Sequence, residues 1–225
     1  MANSLAWINA SGGDITNGLV GWWKLNDGSG TQAADSSGNS NTGTLVNTPT
    51  WSTGFLTFDN TLSQYISTTN VVNIANVTVS AWVNVSSGRG VKEAIVSCQN
   101  GFNSNVGDKV LFIDASNRPQ FFIYTGNTVI TANVSSPQLT SSGWHFICGT
   151  WDSTTCKVYL DASSFGSVTD SGGSYAGYTV PNIYIASLSI SSDYDYFSGS
   201  VDDVRVYNRA LSSTEISTLY ANGQK

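Results

Sequence analysis

The sequence predicts an all-β domain, built as an antiparallel two-sheet sandwich with one short C-terminal helix. Apolar and polar residues alternate with a period of two over most of the chain, which is typical of half-buried strands. About a dozen such segments are separated by turns rich in glycine, asparagine and serine, with no alternating helices to cover a parallel sheet. The 225 residues are enough for one large sandwich with its own core.

The central predicted strand, 77–85, shows this alternation most clearly. Its odd-numbered residues are all apolar and share one face, whereas its even-numbered residues are Thr78, Ser80, Trp82 and Asn84. The same period predicts ten further strands, at 55–58, 64–67, 94–98, 110–114, 120–124, 128–134, 144–151, 157–160, 182–186 and 200–207.

The first and last strands carry acidic residues. A strand beginning at Leu19 runs into a turn that contains Asp27. In the last strand Asp202 alternates with the valines that follow it, which predicts that its carboxylate points toward the apolar face, while Asp203 shares the other face with Arg205. A buried carboxylate without a partner is unfavourable, so Asp202 requires a compensating group.

A single helix is predicted near the C-terminus. Ser212 and Glu215 have the spacing of a capping box, and Ile216 and Leu219 repeat at helical spacing. Gly223 supplies the stop signal. We expect this helix to pack on the sandwich and to carry no chemistry of its own.

The three cysteines are predicted to be free. Cys148 and Cys156 flank a turn, but the hairpin register places Trp151 opposite Cys156, so a cross-strand disulfide is poorly aligned. We therefore expect buried thiols that act as small hydrophobic groups, together with Cys98.

Composition and charge exclude some partners. The net charge is −6, with thirteen aspartates and only nine lysines and arginines, so a basic patch for nucleic acid is absent. No apolar run is long enough to span a membrane, and residues 1–8 lack the features of a secretory signal peptide. The low share of charged residues, 11 %, suits an extracellular or virion-surface protein.

The chain divides into an N-terminal arm, 1–16, and a domain, 17–225. The arm has apolar residues Leu5, Trp7 and Ile8 in a polar setting. It is either an extra edge strand or tag remnant, or a segment that docks on a neighbouring subunit, and the sequence does not decide between them.

Six segments together resemble the laminin-G-like, concanavalin A-like jelly-roll family. They occur in the family's order and extend from Leu19 to Tyr220. The segments are 18–30, 35–39, 58–59, 79–83, 143–152 and 197–211. The resemblance implies a jelly-roll sandwich.

The resemblance also implies a structural calcium ion that ties the first strand to the last. Its ligands would be Asp202 from the last strand and Asp27, Asp35 and Asn39 from the N-terminal side, because calcium takes six to eight oxygen ligands from flexible loops. Alternatively, Asp35 caps its own turn, and Asp202 pairs with an arginine or with backbone amides.

No catalytic motif is present in the sequence. Related glucanases carry three acids as Glu-x-Asp-x-x-Glu on one strand, whereas Glu93 has no acidic neighbour and Glu215 belongs to the helix cap. His145 lacks a motif partner for a catalytic triad, so we expect a hydrogen-bonded structural histidine. We therefore predict a protein that is not an enzyme, and a glycoside hydrolase is disfavoured.

Aromatic residues in loops are the predicted ligand-binding residues, since sugar recognition uses aromatic rings flanked by polar groups. They are Trp51, Tyr175, Tyr178 and Tyr194.

The predicted function is a non-catalytic, lectin-like adhesion module that binds cell-surface or polymer glycans. The alternative is a structural virion component, such as a capsid decoration or tail-associated protein, that contacts neighbouring virion subunits. The motifs do not separate these two functions.

Overall fold

The computed structural model confirms the predicted fold class: two β-sheets packed as a sandwich, with one short C-terminal α-helix. Of the predicted arm, only Asp14 to Thr16 are included. The structure describes residues 14–73, 75–86, 90–99, 108–124, 129–134, 138–139, 143–169, 179–188 and 195–223.

The described residues form seventeen strands, a short 3-10 helix at Asn60–Leu62 and an α-helix, α1, at Ser213–Asn222. The strands are β1 Leu19–Trp23, β2 Gln32–Ala33, β3 Gly43–Val46, β4 Thr50–Ser52, β5 Phe55–Phe58, β6 Tyr65–Asn73, β7 Val77–Val85, β8 Glu93–Gln99, β9 Lys109–Ile113, β10 Pro119–Tyr124, β11 Val129–Asn133, β12 His145–Trp151, β13 Thr155–Leu160, β14 Ser163–Thr169, β15 Thr179–Ile185, β16 Asp195–Tyr196 and β17 Gly199–Tyr207.

The strands form two sheets of eight and nine members. The first sheet has the order β14-β13-β12-β7-β17-β5-β4, and β1 pairs with β17. The second has the order β11-β10-β9-β8-β15-β6-β3-β2, and β16 pairs with β8. Every pairing is antiparallel except that of β16 with β8. The start and the end of the domain therefore lie side by side, as β1 on β17.

The main core lies between the two sheets. The alternation predicted for β7 is confirmed, because Val77, Val79, Ala81, Val83 and Val85 all belong to this core. The even-numbered face of β7 is also largely buried, since helix α1 covers the outer side of the first sheet.

Helix α1 packs where the sequence predicts it. Ser212 and Glu215 form the expected capping box, and the Gly223 amide closes the C-terminal end on two carbonyl oxygens of the last turn. Ile216 and Leu219 are buried in a second apolar cluster beside Trp82. Within the described residues, the structure contains no helix with the length and apolar character needed to cross a bilayer.

The cysteine prediction is confirmed. Trp151 lies opposite Cys156 in the β12–β13 hairpin, and all three cysteines are free and buried. Burial raises the pKa of the Cys98 and Cys156 thiols to about 12, and it also raises the pKa of the Cys148 thiol. These groups therefore stay neutral at physiological pH and contribute to packing.

Five strands were not predicted from the sequence: β2, β3, β4, β14 and β16. Four of them have two to four residues, too few to show a period of two. The fifth, β14, is a seven-residue edge strand that is exposed along almost its whole length. Pairing with β13, rather than burial, defines it, so apolar alternation gives no signal.

The predicted orientation of Asp202 is wrong, because a β-bulge interrupts β17. The pairing with β7 shifts between Asp202 and Arg205, and Asp203 has a left-handed φ of 46°. Asp202 lies opposite Trp82, so it is on the side of the first sheet that α1 covers, and not in the main core. Asp202 is nevertheless buried, with 2 % of its surface exposed.

Candidate functional site

Acidic and amide side chains hold the segment 35–41 against β1. The carboxylate of Asp35 accepts hydrogen bonds from the backbone amides of Trp22 at 2.9 Å, Ser37 at 2.8 Å and Asn41 at 2.8 Å. It accepts a fourth from the Ser37 hydroxyl at 2.7 Å. Asp35 therefore caps its own turn, which is the alternative to calcium binding given above. It also binds the backbone of the first strand.

Asn39 joins the same segment to β1 through its amide nitrogen. Its Nδ2 donates to the carbonyl oxygens of Leu19 at 2.8 Å and Val20 at 3.0 Å. Asn41 donates in the same way to the Val20 carbonyl at 2.7 Å. The structure thus brings Asp35 and Asn39 together as predicted, and both side chains bind the protein's own backbone.

Asp27 lies on a separate, exposed cavity at the end of β1. Its Oδ2 accepts one long hydrogen bond, 3.4 Å, from the Ala34 amide. The cavity has a volume of about 360 Å³, and its open lining is divided about equally between polar and apolar surface. Around Asp27 it is bounded by the side chains of Ser29, Gln32 and Thr42 and by the backbone of Gly30.

Trp51, one of the predicted ligand-binding residues, lies beside this cavity. It is half-buried on β4 and packs against the main core. Its indole Nε1 donates a 2.9 Å hydrogen bond to the carbonyl of Gly30, which lines the cavity. Trp51 therefore supports the wall of the cavity. The other three predicted ligand-binding residues, Tyr175, Tyr178 and Tyr194, lie outside the described residues.

The four predicted calcium ligands occupy different surroundings. Asp35 and Asn39 are engaged by backbone groups, Asp27 faces the open cavity, and Asp202 is buried beneath α1. The described part of the chain contains no group of three or more His, Cys, Asp or Glu side chains arranged to hold a metal ion. Calcium binding by this chain remains a prediction.

Trp22 lies on the outer face of the first sheet and was not predicted as a ligand-binding residue. Neighbouring residues in a strand face opposite sides, so Trp22 and Trp23 cannot both lie in the core. Trp23 is fully buried, whereas Trp22 is half-buried on the outer face of the first sheet. The Lys24 ammonium and the Arg205 guanidinium lie 4.4 Å and 4.3 Å from its ring centroid. The adjacent tryptophans are the signal that identifies an outward-facing ring.

His145 has the structural role that the sequence predicts. Its Nδ1 lies 3.0 Å from Oδ2 of Asp161, and the other oxygen of that carboxylate accepts from the Phe146 amide at 2.9 Å. Among the described residues no hydroxyl or thiol is hydrogen-bonded to the His145 ring. The pair therefore joins β12 to the turn after β13.

The register also brings two acidic residues together that lie far apart in the sequence. Asp195 of β16 is the backbone partner of Glu93 in β8. Glu93 itself is buried, with 4 % of its surface exposed.

Comparison with known families agrees with this architecture. A profile of the concanavalin A-like lectin/glucanases superfamily matches residues 58–217, which is most of the chain. The chain belongs to this superfamily. The matched segment begins at the end of β5, so Asp27, Asp35, Asn39 and Trp51 precede it. No curated protein sequence matches the chain.

Solved structures with this fold include toxin binding domains and an enzyme. The receptor binding domain of botulinum neurotoxin C/D mosaic serotype has a TM-score of 0.68 at 17 % identity, over 93 % of this chain and 52 % of that one. Botulinum neurotoxin type C, which depends on interaction with two ganglioside molecules to enter cells, has a TM-score of 0.66 at 13 % identity, over 94 % and 52 %. A Trypanosoma rangeli sialidase has a TM-score of 0.65 at 18 % identity, over 98 % and 35 %.

These likenesses establish the fold of this superfamily member and not its ligand. The chain spans about half the length of the toxin chains and about a third of the sialidase chain. The identities are low, so residues of those proteins cannot be transferred to individual positions here.

Proposed function

We propose that this superfamily member is a non-catalytic carbohydrate-binding module of an extracellular or virion surface, and that the cavity at Asp27 is its sugar site. The observation that carries this proposal is the set of polar groups around the cavity. One carboxylate residue, three hydroxyl residues and one primary amide residue, Asp27, Ser29, Thr31, Thr42 and Gln32, line one open space of about 360 Å³. Such groups can donate and accept the hydrogen bonds that sugar hydroxyls require.

The lining also has the exposure of a binding loop. Asp27, Ser29, Gln32 and Thr42 are all exposed, so a sugar reaches them without a conformational change. Trp51 holds the Gly30 carbonyl from behind, which limits the freedom of the loop before a ligand binds. This arrangement favours weak, reversible binding of a chain end or a side branch.

The charge of the cavity favours neutral sugars. Of the described residues that line it, Asp27 is the one that carries a charge, and the whole chain has a net charge of −6. A ligand with a carboxylate would be repelled by Asp27, whereas a neutral hydroxyl can donate to it in a charge-assisted hydrogen bond.

The superfamily and its structural neighbours support binding as the function. The toxin chains that share the fold are described as binding domains, and one toxin is described as interacting with gangliosides. Cell-surface or polymer glycans are accordingly the partners that we propose. Contact with neighbouring virion subunits stays a prediction, because residues 1–13 of the arm lie outside the described part of the chain.

The test is retention on neutral polysaccharides in affinity gels, followed by calorimetry with the best ligand. Asp27→Asn keeps the shape of the side chain and removes its charge, so we expect binding about tenfold weaker than wild type. Thr42→Val removes a hydroxyl at constant volume and should weaken binding about fivefold. Thr53→Val, an exposed threonine outside the cavity lining, is the matched control and should leave affinity unchanged.

If no polysaccharide retains the wild-type protein, the result contradicts the proposed carbohydrate-binding function. If the wild type is retained and both Asp27→Asn and Thr42→Val bind with wild-type affinity, the proposed location of the sugar site is wrong. The proposed function as a carbohydrate-binding module would still stand.

A further inference from the structure

A second cavity lies on the outer face of the first sheet, between β1 and the end of α1. It has a volume of about 290 Å³, close to the lower end of the range for small-molecule sites. Ile15, Leu19 and Trp22 form an apolar wall, and Lys24 and Asn222 supply polar groups beside it. The lining is mainly apolar, in contrast to the more polar cavity at Asp27.

Hydrogen bonds fix the floor of this cavity. The Trp22 indole Nε1 donates to Oδ1 of Asp203 at 2.5 Å. Arg205 pairs with both oxygens of the same carboxylate at 3.1 Å and lies over the Trp22 ring. The bulge in β17 turns Asp203 toward these partners, and bulges often re-aim a side chain beside a functional site.

The segment that carries Ile15 is also anchored. Arg209 donates from Nε to the Asn17 carbonyl at 2.8 Å and from Nη2 to the Asp14 carbonyl at 3.4 Å. The same guanidinium pairs with Glu215 on α1. These contacts tie the segment that carries Ile15 to the helix, so this segment is in place before a ligand arrives.

Lys24 places a positive charge at the edge of this cavity. Arg205 is neutralised by Asp203 in an ion pair. Among the described residues no carboxylate pairs with the Lys24 ammonium, whose contact is with the face of the Trp22 ring. A cation–π contact positions the ammonium without cancelling its charge. An apolar cavity with an ammonium group at its edge is complementary to an amphipathic anion.

We infer that this cavity binds a small organic anion with an apolar, ring-containing body. The anionic group would pair with Lys24 and accept a hydrogen bond from the Asn222 amide. The ring would pack against Ile15, Leu19 and the exposed part of Trp22. This site is independent of the proposed sugar site, which is more polar and carries Asp27 in place of a cation.

The test uses 8-anilinonaphthalene-1-sulfonate, a fluorescent aromatic anion, titrated into the folded full chain. We expect one saturable site whose affinity falls with added salt. Lys24→Ala should weaken binding about tenfold, and Lys24→Glu should abolish saturable binding, because the first removes the cation and the second reverses its charge. Lys157→Ala on β13, outside the cavity lining, is the matched lysine control and should bind as wild type does.

N-phenyl-1-naphthylamine, which has the ring system without the sulfonate, separates charge from hydrophobicity. We expect it to bind the wild type more weakly than the anion and to be insensitive to Lys24→Ala. Equal affinities of wild type and Lys24→Ala for the anion, or no binding to the folded wild type, would overturn the inference. Melting curves establish that each variant is folded.

Discussion

The indole nitrogen of Trp22 and the carboxylate of Asp203 form a 2.5 Å hydrogen bond across 181 positions of sequence. Arg205 binds the same carboxylate, and its side chain is only 9 % exposed. The three residues therefore join the first strand of the domain to the last on the outer face of the sheet, in addition to the backbone pairing of β1 with β17.

Asp203→Asn should destabilise the protein by about 2–3 kcal/mol. The substitution keeps the size of the side chain and tolerates the left-handed backbone, but it leaves the largely buried Arg205 without its counter-ion. Urea unfolding monitored by circular dichroism measures the change.

The double variant Asp203→Asn/Arg205→Met is the control, because it removes the uncompensated charge along with its partner. We expect it to recover part of the lost stability. A single variant as stable as wild type would show that the ion pair does not hold the two strands together.

Glu215 should make stability depend on pH in the acid range. Hydrogen bonds from Arg209, and then from Ser212, outweigh burial and lower the pKa of the Glu215 carboxyl from 4.5 to about 2. Because the folded pKa is the lower one, the ionised carboxylate stabilises the fold above pH 4.5, and this contribution is lost as the pH falls toward 2.

Glu215→Gln keeps the capping-box geometry and lacks the ionisation. The stability difference between wild type and variant should be constant above about pH 5 and should shrink steadily toward pH 2. Urea titrations at intervals across this range test it. Parallel stability curves for the two proteins would contradict the assignment.

The calcium prediction is tested by melting the protein in a chelator and in excess calcium. An ion that binds only the folded state raises the midpoint as its concentration exceeds the dissociation constant. Of the predicted ligands, Asp27 has the carboxylate least engaged by the protein, with one hydrogen bond of 3.4 Å. Asp27→Asn should therefore remove the shift. Identical midpoints for the wild type in both conditions would exclude a structural calcium.

Local patterns identified much of this fold. The bounds predicted for β5 and β7 match the structure, as do the hairpin that places Trp151 opposite Cys156 and the capped helix that begins after Ser212. Each depends on residues close together in the chain, whose spacing reflects burial and turn geometry directly.

The arrangement of the candidate sites was harder to predict from local sequence patterns. Asp27 and Trp51 were both predicted as site residues from the sequence. Only the structure shows that Asp27 and Gly30 line one cavity and that Trp51 is hydrogen-bonded to the Gly30 carbonyl. Trp22 was not predicted as a site residue, since the exposure of its outer side depends on which elements cover the sheet there.

The sequence by itself determined an all-β sandwich, its central strands, its capped helix and its unpaired thiols, because the period of apolar residues and the turn chemistry are local properties. Tertiary structure alone decided the bulge at Asp203, the burial of Asp202 beneath α1 and the two cavities. The bulge and the buried position of Asp202 arise where β17 pairs with strands more than a hundred residues away, and one extra residue in that pairing moves a side chain to the other face of the sheet.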